Sequence, residues 1–425
     1  MSSERSTQNR GISRRAVLRR GAVATAIAGL GLSGLTGSAA AGGTGGDGVP
    51  SDAIPIDGPT VITEPGYYVL TKNIVGQPPE SDSVDPRRDS IINIELGVDD
   101  VTIDGQGYSL IGRGETRYGI SAGVYPDAPT NDNITIKNLV ITGFSFAGIE
   151  LEEVFDSRIQ NVKITHCRHA LEYLTAVRVT VSDCIIAKND LMLFDDEGAS
   201  GSVFLRNRIT RNGGVANIDF ASDSVLKDNR VDYNGGGWGL INSSGAKIVG
   251  NLFYQNAAGF SISEYVGVGS NTVIRGNRFI ENERYGLFVD GSASAGISID
   301  GSVIEENDVL RNGGDGIRFR SAFGPSTLSK NRIIGNGADG IKFLGSDEHE
   351  IVGNLIRQNG GDGIELTRTE FTTDPEGSDN NVIRENIIRE NGDLPIRIGD
   401  LSTGNVVEDN LIGDDAPNTC RIDDY

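Results

Sequence analysis

Residues 304–319 read IEENDVLRNGGDGIRF, and residues 328–343 and 351–366 repeat the pattern as LSKNRIIGNGADGIKF and IVGNLIRQNGGDGIEL. In each stretch an asparagine stands three positions after an apolar residue, a second asparagine follows five positions later, and an alternating apolar and polar segment closes the unit. Alternation with a period of two is typical of a β-strand, and Asn and Gly are typical of tight turns. Each unit therefore predicts three short strands joined by turns.

The first asparagine of this unit recurs through most of the chain, most often at intervals of 22 to 24 residues. The sequence aligns these positions as Asn138, Asn161, Asp183, Asn207, Asn229, Asn251, Asn277, Asn307, Asn331, Asn354, Asn386 and Asn410. Repetition at this period indicates a solenoid, and a repeat made only of strands and turns predicts a parallel β-helix. We expect an all-β fold with about 12–13 coils of 22–24 residues.

The repeat resembles the right-handed parallel β-helix, or pectin-lyase-like, superfamily, in the branch that includes NosD-like copper-maturation proteins. The similarity covers roughly residues 90–412, and the segment Val101-Thr102-Ile103-Asp104-Gly105-Gln106-Gly107 resembles the first coils of such proteins. The resemblance implies a right-handed coil, which agrees with the general preference of parallel crossovers. We divide the chain into a signal peptide (1–41), a linker and N-terminal capping segment (42–90), the β-helix (91–412) and a C-terminal tail (413–425).

The N-terminus resembles a twin-arginine export signal. Ser13-Arg14-Arg15-Ala16-Val17-Leu18 precedes a stretch rich in Ala, Gly, Thr and Ser, and Ala39-Ala40-Ala41 supplies small residues for cleavage. A membrane anchor is the alternative, but a segment so poor in Leu, Ile and Phe would insert weakly. We expect an extracellular or cell-surface protein, exported by the twin-arginine route, with no membrane span in the mature chain.

The composition restricts the partners. A net charge of −21 argues against nucleic acid, because phosphate binding needs a basic face. Eight Lys among 38 basic residues, together with the acid excess, suggest a halophilic protein kept soluble in strong salt. The cysteines, Cys167, Cys184 and Cys420, are too few for a disulfide framework or a zinc site, and the sequence leaves open whether any two of them pair.

The connections after the alternating strand differ in length. Most are short, whereas three are long: Ile262 to Ile274, Val289 to Ile304, and Leu366 to Ile383. Since all three lie at the same corner of the coil, we expect them to form a wall beside the alternating strands, and a walled groove suits an extended polymer. The alternative is that loops vary where lengthening costs little.

The outward residues of the alternating strands are the candidate binding surface. In chain order we expect them to stack as Glu150, Glu172, Met192, Asp219, Ile241, Ser261, Phe288, Arg318, Lys342, Glu365 and Arg397, with Arg320 just beyond. The resemblance implies an acidic polysaccharide, held through calcium on carboxylates, with an Arg or Lys as base. The predicted substrate-binding residues are Glu150, Glu172, Asp219, Arg318, Arg320, Lys342 and Glu365. The alternative for Arg318 and Lys342 is pairing with carboxylates such as Glu365 one coil along.

The run Asp195-Asp196-Glu197 is the densest acidic cluster at the end of an alternating strand. It resembles the paired aspartates of polygalacturonases, although the Gly-His-Gly and Arg-Ile-Lys elements of those enzymes are missing. Asp195 and Asp196 are therefore the candidate catalytic carboxylates, and with Glu197 they are candidate calcium ligands. A solvated acidic loop is the alternative.

Two further patterns have a structural and a functional interpretation. Asp315, Asp339 and Asp362 recur just before a Gly-Ile pair, and we expect each to accept a hydrogen bond from its own turn, with cation binding as the alternative. His166 and His169 fall at turn positions, so they are expected to be turn residues. The alternative is a small copper site with Cys167 between them.

These observations predict an exported β-helix protein that binds, and in one version cleaves, an extracellular or cell-envelope polysaccharide. If it is an enzyme, a polysaccharide lyase or glycoside hydrolase is expected. No cofactor is required, and calcium is the one candidate ion. The alternative from another class is a non-catalytic surface scaffold or a NosD-like maturation factor. The sugar, the catalytic status and the oligomeric state are not fixed by the sequence.

Overall fold

The computed structural model describes residues 48–76, 89–114, 116–123, 130–195, 198–219, 221–263, 269–291, 297–369, 376–413 and 421–422. The chain divides into the units Met1–Val49 and Pro50–Tyr425. The predicted signal peptide, residues 1–41, lies outside the described residues. Over the described ranges, no helix has the length and apolar character that crossing a membrane requires.

Twenty-seven of the described strands form one parallel sheet that continues around a corner of the coil. The strands on one side of this corner, which we name the first ladder, are Ile54–Ile56, Gly66–Leu70, Val101–Asp104, Thr135–Thr142, Arg158–Thr165, Thr180–Ser182, Val203–Leu205, Val225–Lys227, Lys247–Val249, Val273–Arg275, Val303–Glu305, Thr327–Ser329, Glu350–Val352, Val382–Arg384 and Val406–Glu408. From Val101 onward this ladder has thirteen described rungs, which confirms the expected number of coils.

The second ladder lies beyond that corner. Its strands are Ile74–Val75, Ser109–Ile111, the second halves of Thr135–Thr142 and Arg158–Thr165, Ile185–Ala187, Arg208–Thr210, Arg230–Asp232, Leu252–Tyr254, Arg278–Ile280, Asp308–Leu310, Arg332–Ile334, Leu355–Arg357, Ile387–Arg389 and Leu411–Ile412. The segment 42–90, expected to be a linker and cap, already contributes rungs, because Ile54–Ile56 pairs in parallel with residues 68–70.

The alternating strands form the third ladder, in two parts. Six strands make the first part: Thr60–Ile62, Ser90–Ile94, Tyr118–Ala122, Ala147–Glu152, His169–Leu174 and Leu191–Asp195. Nine make the second: Ala216–Asp219, Trp238–Ile241, Phe260–Ser263, Leu287–Asp290, Ile317–Arg320, Ile341–Leu344, Ile364–Thr367, Ile396–Ile398 and Arg421–Ile422. Two short parallel pairs lie outside the ladders: Asn131–Asp132 with Val154–Phe155, and Ile297–Ser298 with Ala322–Phe323.

The core is a column of stacked apolar side chains. Ile304, Leu328 and Ile351 are buried in register on successive rungs of the first ladder, as the repeat predicts. Phe319 and Phe343 stack in the third ladder with ring centroids 4.8 Å apart. Each fully buried side chain of this size contributes roughly 1.5–3 kcal/mol, so the repeated apolar positions supply most of the stability.

Two ladders of buried asparagines hold the corners between the strands. The Asn331 side-chain amide donates to Oδ1 of Asn354 at 3.0 Å and to the carbonyl of Ile304 at 2.8 Å, and the Asn331 backbone N–H donates to the same Oδ1 at 2.9 Å. We call the corner between the first and second ladders the first corner, and the corner between the second and third ladders the second corner. The same three contacts recur from Asn207 to Asn386 at the first corner and from Asn189 to Asn359 at the second corner. Buried polar groups must find partners inside the protein, and here the partners belong to neighbouring coils.

The sequence alignment is wrong by one residue in three early coils. Asn138, Asn161 and Asp183, which the sequence assigned to the asparagine ladder, have left-handed φ angles of 57°, 52° and 56°. The buried position is held by the next residue in each coil: Leu139, Val162 and Cys184. The Cys184 backbone N–H donates to Oδ1 of Asn207 at 2.9 Å, so the asparagine ladder starts one coil later. The sequence alone does not distinguish a polar corner residue with a positive φ from a buried residue of the asparagine ladder.

The ladder predicts the cost of removing one amide. In Asn331→Ala, the carbonyl of Ile304 and the backbone and side-chain N–H groups of Asn307 lose their partner inside the core. We expect the free energy of unfolding to fall by about 2–4 kcal/mol, measured by urea denaturation. In the control Asn380→Gly, an exposed asparagine at φ 54° is replaced by the residue that best tolerates this angle, and a change within about 0.5 kcal/mol is expected. Equal effects of the two substitutions would contradict the role of the ladder.

Candidate functional site

The outward residues of the third ladder, which we name the third face, form two parallel columns where one was predicted. In the second part of the ladder, Ser261, Phe288, Arg318, Lys342, Glu365 and Arg397 stack in register, as expected. Asp219 and Ile241 belong to the other column, which continues through Ser263, Asp290 and Arg320. Met192 was also misplaced, because it is buried in the core and Phe194 is the neighbour of Glu172.

The C-terminal half of the third face is an internally paired network of charges. Lys342 Nζ lies 2.6 Å from Glu365 Oε2 and 3.1 Å from Asp339 Oδ2. Arg318 contacts Asp315 at 3.4 Å, and Arg397 contacts Asp362 at 2.6 Å. Lys342 and Arg318 therefore form ion pairs within the protein surface, which was the alternative noted from the sequence.

The aspartate column also bonds to the backbone, but not as expected. Oδ1 of Asp339 accepts the backbone N–H of Asp362 at 2.7 Å, and Oδ1 of Asp362 accepts that of Leu394 at 2.7 Å. Asp315 accepts from Asp339 in the same way at 3.1 Å. The donor thus belongs to the following coil, and the expectation of a bond within each residue's own turn was wrong. The column holds successive coils together.

Three carboxylates of this network, those of Asp339, Asp362 and Glu365, have oxygens within 4.8 Å of one another. Burial raises the pKa of Glu365 from its ordinary value of 4.5 to about 7, the charge of Asp339 adds to the increase, and Lys342 opposes it. A protonated Glu365 relieves the repulsion between neighbouring carboxylates. The Lys342 ammonium already lies against two of the three residues, so this cluster has an internal cation.

The two other predicted binding residues in this half have protein partners too. Arg320 makes two hydrogen bonds to Asp290, at 2.8 and 2.6 Å, and its guanidinium lies 5.3 Å from the Phe288 ring centroid. Asp219 accepts a hydrogen bond from the Asn242 side chain at 2.8 Å. The structure thus gives each predicted residue of the C-terminal half a structural role.

In the N-terminal half of the third face, the two glutamates predicted from the sequence are buried themselves. Glu150 and Glu172, both predicted from the sequence, are adjacent in register and only 3% and 5% exposed. Nδ1 of His169 lies 3.5 Å from Oε2 of Glu172. A carboxylate beside one imidazole nitrogen orients the ring. A histidine held in this way is suited to proton transfer.

An aromatic and cationic cluster surrounds this pair. The half-buried ring of Phe146 lies 5.4 Å from the Tyr118 ring and 5.3 Å from the His169 ring, edge to face in both cases. The guanidinium groups of Arg117 and Arg168 lie 5.1 and 5.2 Å from the centroid of Phe146. Tyr118 and His169 are two rungs apart in register, a backbone separation of about 10 Å. We name these five residues, with Glu150 and Glu172, the Phe146 site.

The Phe146 site separates an acid from a base. Burial, followed by the negative charge of Glu150, raises the pKa of Tyr118 well above its ordinary value of 10, so the phenol keeps its proton at any physiological pH. The phenol can therefore donate a hydrogen bond, whereas a ring nitrogen of His169 can accept a proton. Tyr118 and His169 thus lie about two rungs apart on one face, and their exposed fractions are 4% and 8%.

Sequence reasoning identified the two glutamates and missed their neighbours. Tyr118 and His169 are the first residues of their third-ladder strands, at the position that Asp315, Asp339 and Asp362 occupy in later coils. That position was interpreted as a turn position, and His169 was assigned to a turn accordingly. The residue type at this position could have revealed the site: a tyrosine and a histidine stand where later coils have aspartate, and the two glutamates stack beside them.

Several sequence predictions fall where nothing is described. Asp195 ends the strand Leu191–Asp195, but its side chain, Asp196 and Glu197 lie outside the described part. The same is true of residues 264–268, 292–296 and 370–375, which belong to the three long connections. The candidate catalytic carboxylates, the calcium ligands and the loop wall therefore stay predictions.

The alternative copper site at His166, Cys167 and His169 was wrong. Cys167 is buried in the core, where burial raises the pKa of its thiol to about 11. His166 is exposed at a corner with φ 56°, while His169 belongs to the Phe146 site. In the described ranges, the one carboxylate, histidine or cysteine group close enough to share a metal ion is that of Asp339, Asp362 and Glu365.

Comparison with known proteins establishes the fold. The family profile described as "Right handed beta helix region" matches residues 123–302 and 265–422. A periplasmic alginate epimerase, AlgG, is 16% identical, with a TM-score of 0.53 over 76% of each chain. The A-module of the Azotobacter vinelandii mannuronan C-5 epimerase AlgE4 is 14% identical, with a TM-score of 0.44 over 83% of this chain and 91% of that one. No curated protein matches the sequence.

The raised pKa of Glu365 predicts a pH dependence of stability. Between about pH 4.5 and 7 the folded state keeps a proton that the unfolded chain has released, so the free energy of unfolding falls as the pH rises through this window. The glutamine of Glu365→Gln cannot ionise. We therefore expect the free energy of unfolding of this variant, measured by urea denaturation, to change less between pH 4.5 and 7.5. Glu306→Gln, at an exposed corner, serves as the control. An unchanged slope in Glu365→Gln would show that Glu365 ionises normally.

Proposed function

The chain belongs to the right-handed β-helix family, and from this premise we propose that it binds and chemically modifies an acidic polysaccharide along its third face. The single observation that carries the proposal is the Phe146 site, in which the His169 and Glu172 pair and the protonated Tyr118 flank one aromatic ring. We assign proton transfer to this site. The polymer is extracellular or part of the cell envelope, in line with the predicted export signal.

Acidic sugars fit the charge pattern of the site. The whole chain carries −21, yet two arginines, Arg117 and Arg168, lie against Phe146. Guanidinium groups are suited to bidentate recognition of a carboxylate. A half-buried phenylalanine offers an apolar surface to the face of a pyranose ring. A uronic acid residue, which has both a ring face and a carboxylate, is therefore the expected substrate unit, and AlgG, a relative in fold, is named as an alginate epimerase.

The residues of the site divide the chemistry as follows. Arg117 and Arg168 bind the sugar carboxylate and stabilise the negative charge that develops when the proton on the neighbouring carbon is removed. His169 accepts that proton, while Glu172 positions the imidazole. Tyr118 donates from the other side of the ring, and the Glu150 charge helps to keep the phenol protonated. Removal of this proton is the first step of both β-elimination and epimerisation.

The remaining sequence predictions have a place in this proposal. The loop wall predicted from the three long connections is kept in the proposal, as an added binding surface for a polymer. The proposed calcium ligands remain Asp195, Asp196 and Glu197, at and just after the end of the strand Leu191–Asp195, which pairs with the strand of His169. The catalytic assignment moves from Asp195 and Asp196 to His169 and Tyr118, because these have partners suited to proton transfer.

The test is an activity assay with site variants. The protein is incubated in high salt, with and without calcium, with polymannuronate, polygalacturonate and hyaluronan. Products are detected by the ultraviolet absorbance of unsaturated sugars, by reducing ends and by proton NMR of epimerised residues. We expect turnover of one of these polymers and a rate lowered about 10²- to 10⁴-fold in His169→Ala and Tyr118→Phe, with retention on the immobilised polymer preserved.

Two measurements separate catalysis from structure. Glu172→Gln should lower the rate, because the carboxylate holds the imidazole of His169 in place, and Glu306→Gln, at an exposed corner, should leave the rate unchanged. Product formation undiminished in His169→Ala would contradict the assigned site. Retention of the polymers with no product would leave a binding solenoid, and absence of both would favour the scaffold or maturation-factor alternative.

A further inference from the structure

A shallow groove of about 440 Å³ runs along the first corner. The second ladder separates this corner from the third face. It crosses four rungs, from Gln106 and Gly107 to Asp183 and Ile185. One row of its lining consists of the left-handed corner residues Asn138, Asn161 and Asp183, and the other consists of Val140, Lys163 and Ile185. The groove lies where the buried asparagine ladder is missing and Thr135–Thr142 and Arg158–Thr165 run unbroken through the corner.

The corner row contains two amides one rung apart, those of Asn138 and Asn161, followed by the carboxylate of Asp183. The Asn161 side chain donates to Oδ1 of Asn138 at 2.8 Å, and Asn138 donates to Oδ1 of Asp104 at 3.1 Å. A primary amide has two N–H donors and an acceptor oxygen, so a hydrogen-bonded row of amides can still bond to hydroxyl groups that run beside it. The second row adds apolar surface, since Ile185 is 43% exposed.

Ion pairs close the groove at both ends. Beyond the last amide, Arg206 makes two hydrogen bonds to Asp183, at 2.7 and 2.8 Å, and occupies the next corner position. At the other end, Asp104 accepts a hydrogen bond from Tyr67 at 2.6 Å and contacts Lys137 at 3.7 Å. The groove is thus a bounded segment of about three rung spacings, or roughly 14 Å.

We propose that this corner groove is a second glycan-binding site that takes a short stretch of a neutral, (1→4)-linked pyranose chain. A rung spacing of about 4.8 Å is close to the length of one such residue, so two neighbouring sugars can lie beside the two amides. The lining charges, Lys163 and the paired Asp183, provide no net charge for a uronate chain. The site binds without acting on the sugar, because the proton-transfer groups lie on the third face.

Calorimetric titration of the full chain with cello-oligosaccharides of two to six residues tests the proposal. Affinity should rise with length up to three or four residues and then stay level, as a groove of fixed length requires. Asn138→Gly combined with Asn161→Gly removes both amides while keeping residues that accept a positive φ, and we expect binding at least about tenfold weaker. Asp228→Gly, an exposed corner residue beyond the groove with φ 54°, is the matched control and should bind as the wild type.

A second pair of variants tests the site by blocking it. Lys163→Trp fills the groove and should abolish binding, whereas Arg208→Trp, one rung beyond Ile185 in the same column, should not. Absence of binding of every cello-oligosaccharide at millimolar concentration, or equal affinity of the amide-free variant and the wild type, would overturn the proposal. Because His169→Ala should leave this binding intact, failure of the proposed catalytic function and failure of the groove are distinguishable.

Discussion

Burial of asparagine amides at the corners of the coil is the constraint on which the rest of the structure depends. A tight corner leaves backbone groups inside the core, and the amides of Asn207 to Asn386 satisfy them only if the next coil has its own amide in register. Each coil therefore determines the position of its neighbour. The apolar column gives stability, while the amide ladders give register, since an apolar stack alone would tolerate slippage between rungs.

This constraint also decides where function can lie. The first and second corners are fixed by the ladders, so variation is confined to the connection after the third ladder and to coils where the ladder is interrupted. The third face accordingly carries the Phe146 site, and the ladder-free corner carries a groove. At the C-terminal half of the same face, Lys342 and Arg397 are paired with Glu365 and Asp362, and the charges there hold coils together.

The sequence was sufficient for the fold because the repeat encodes it directly. An asparagine flanked by apolar residues at fixed distances has one good explanation, a β-helix corner. It was insufficient where two roles share one residue type: Asn138 and Asn161 have the composition of ladder residues but are left-handed corner residues beside Leu139 and Val162. The sequence predicted part of the Phe146 site. Glu150 and Glu172 follow from alternation, whereas the contact of His169 with Glu172 depends on the distance between side chains, which periodicity does not specify.

The most direct test of the central claim is a crystal structure of the protein with a bound acidic hexasaccharide, such as hexamannuronate. Our account predicts one sugar ring over Phe146, its carboxylate against Arg117 or Arg168, and the carbon next to that carboxylate within hydrogen-bonding reach of His169. A hexasaccharide found only at the C-terminal half of the third face, or only in the corner groove, would contradict it. In that case the buried glutamates and their histidine would be part of the packing of the solenoid alone.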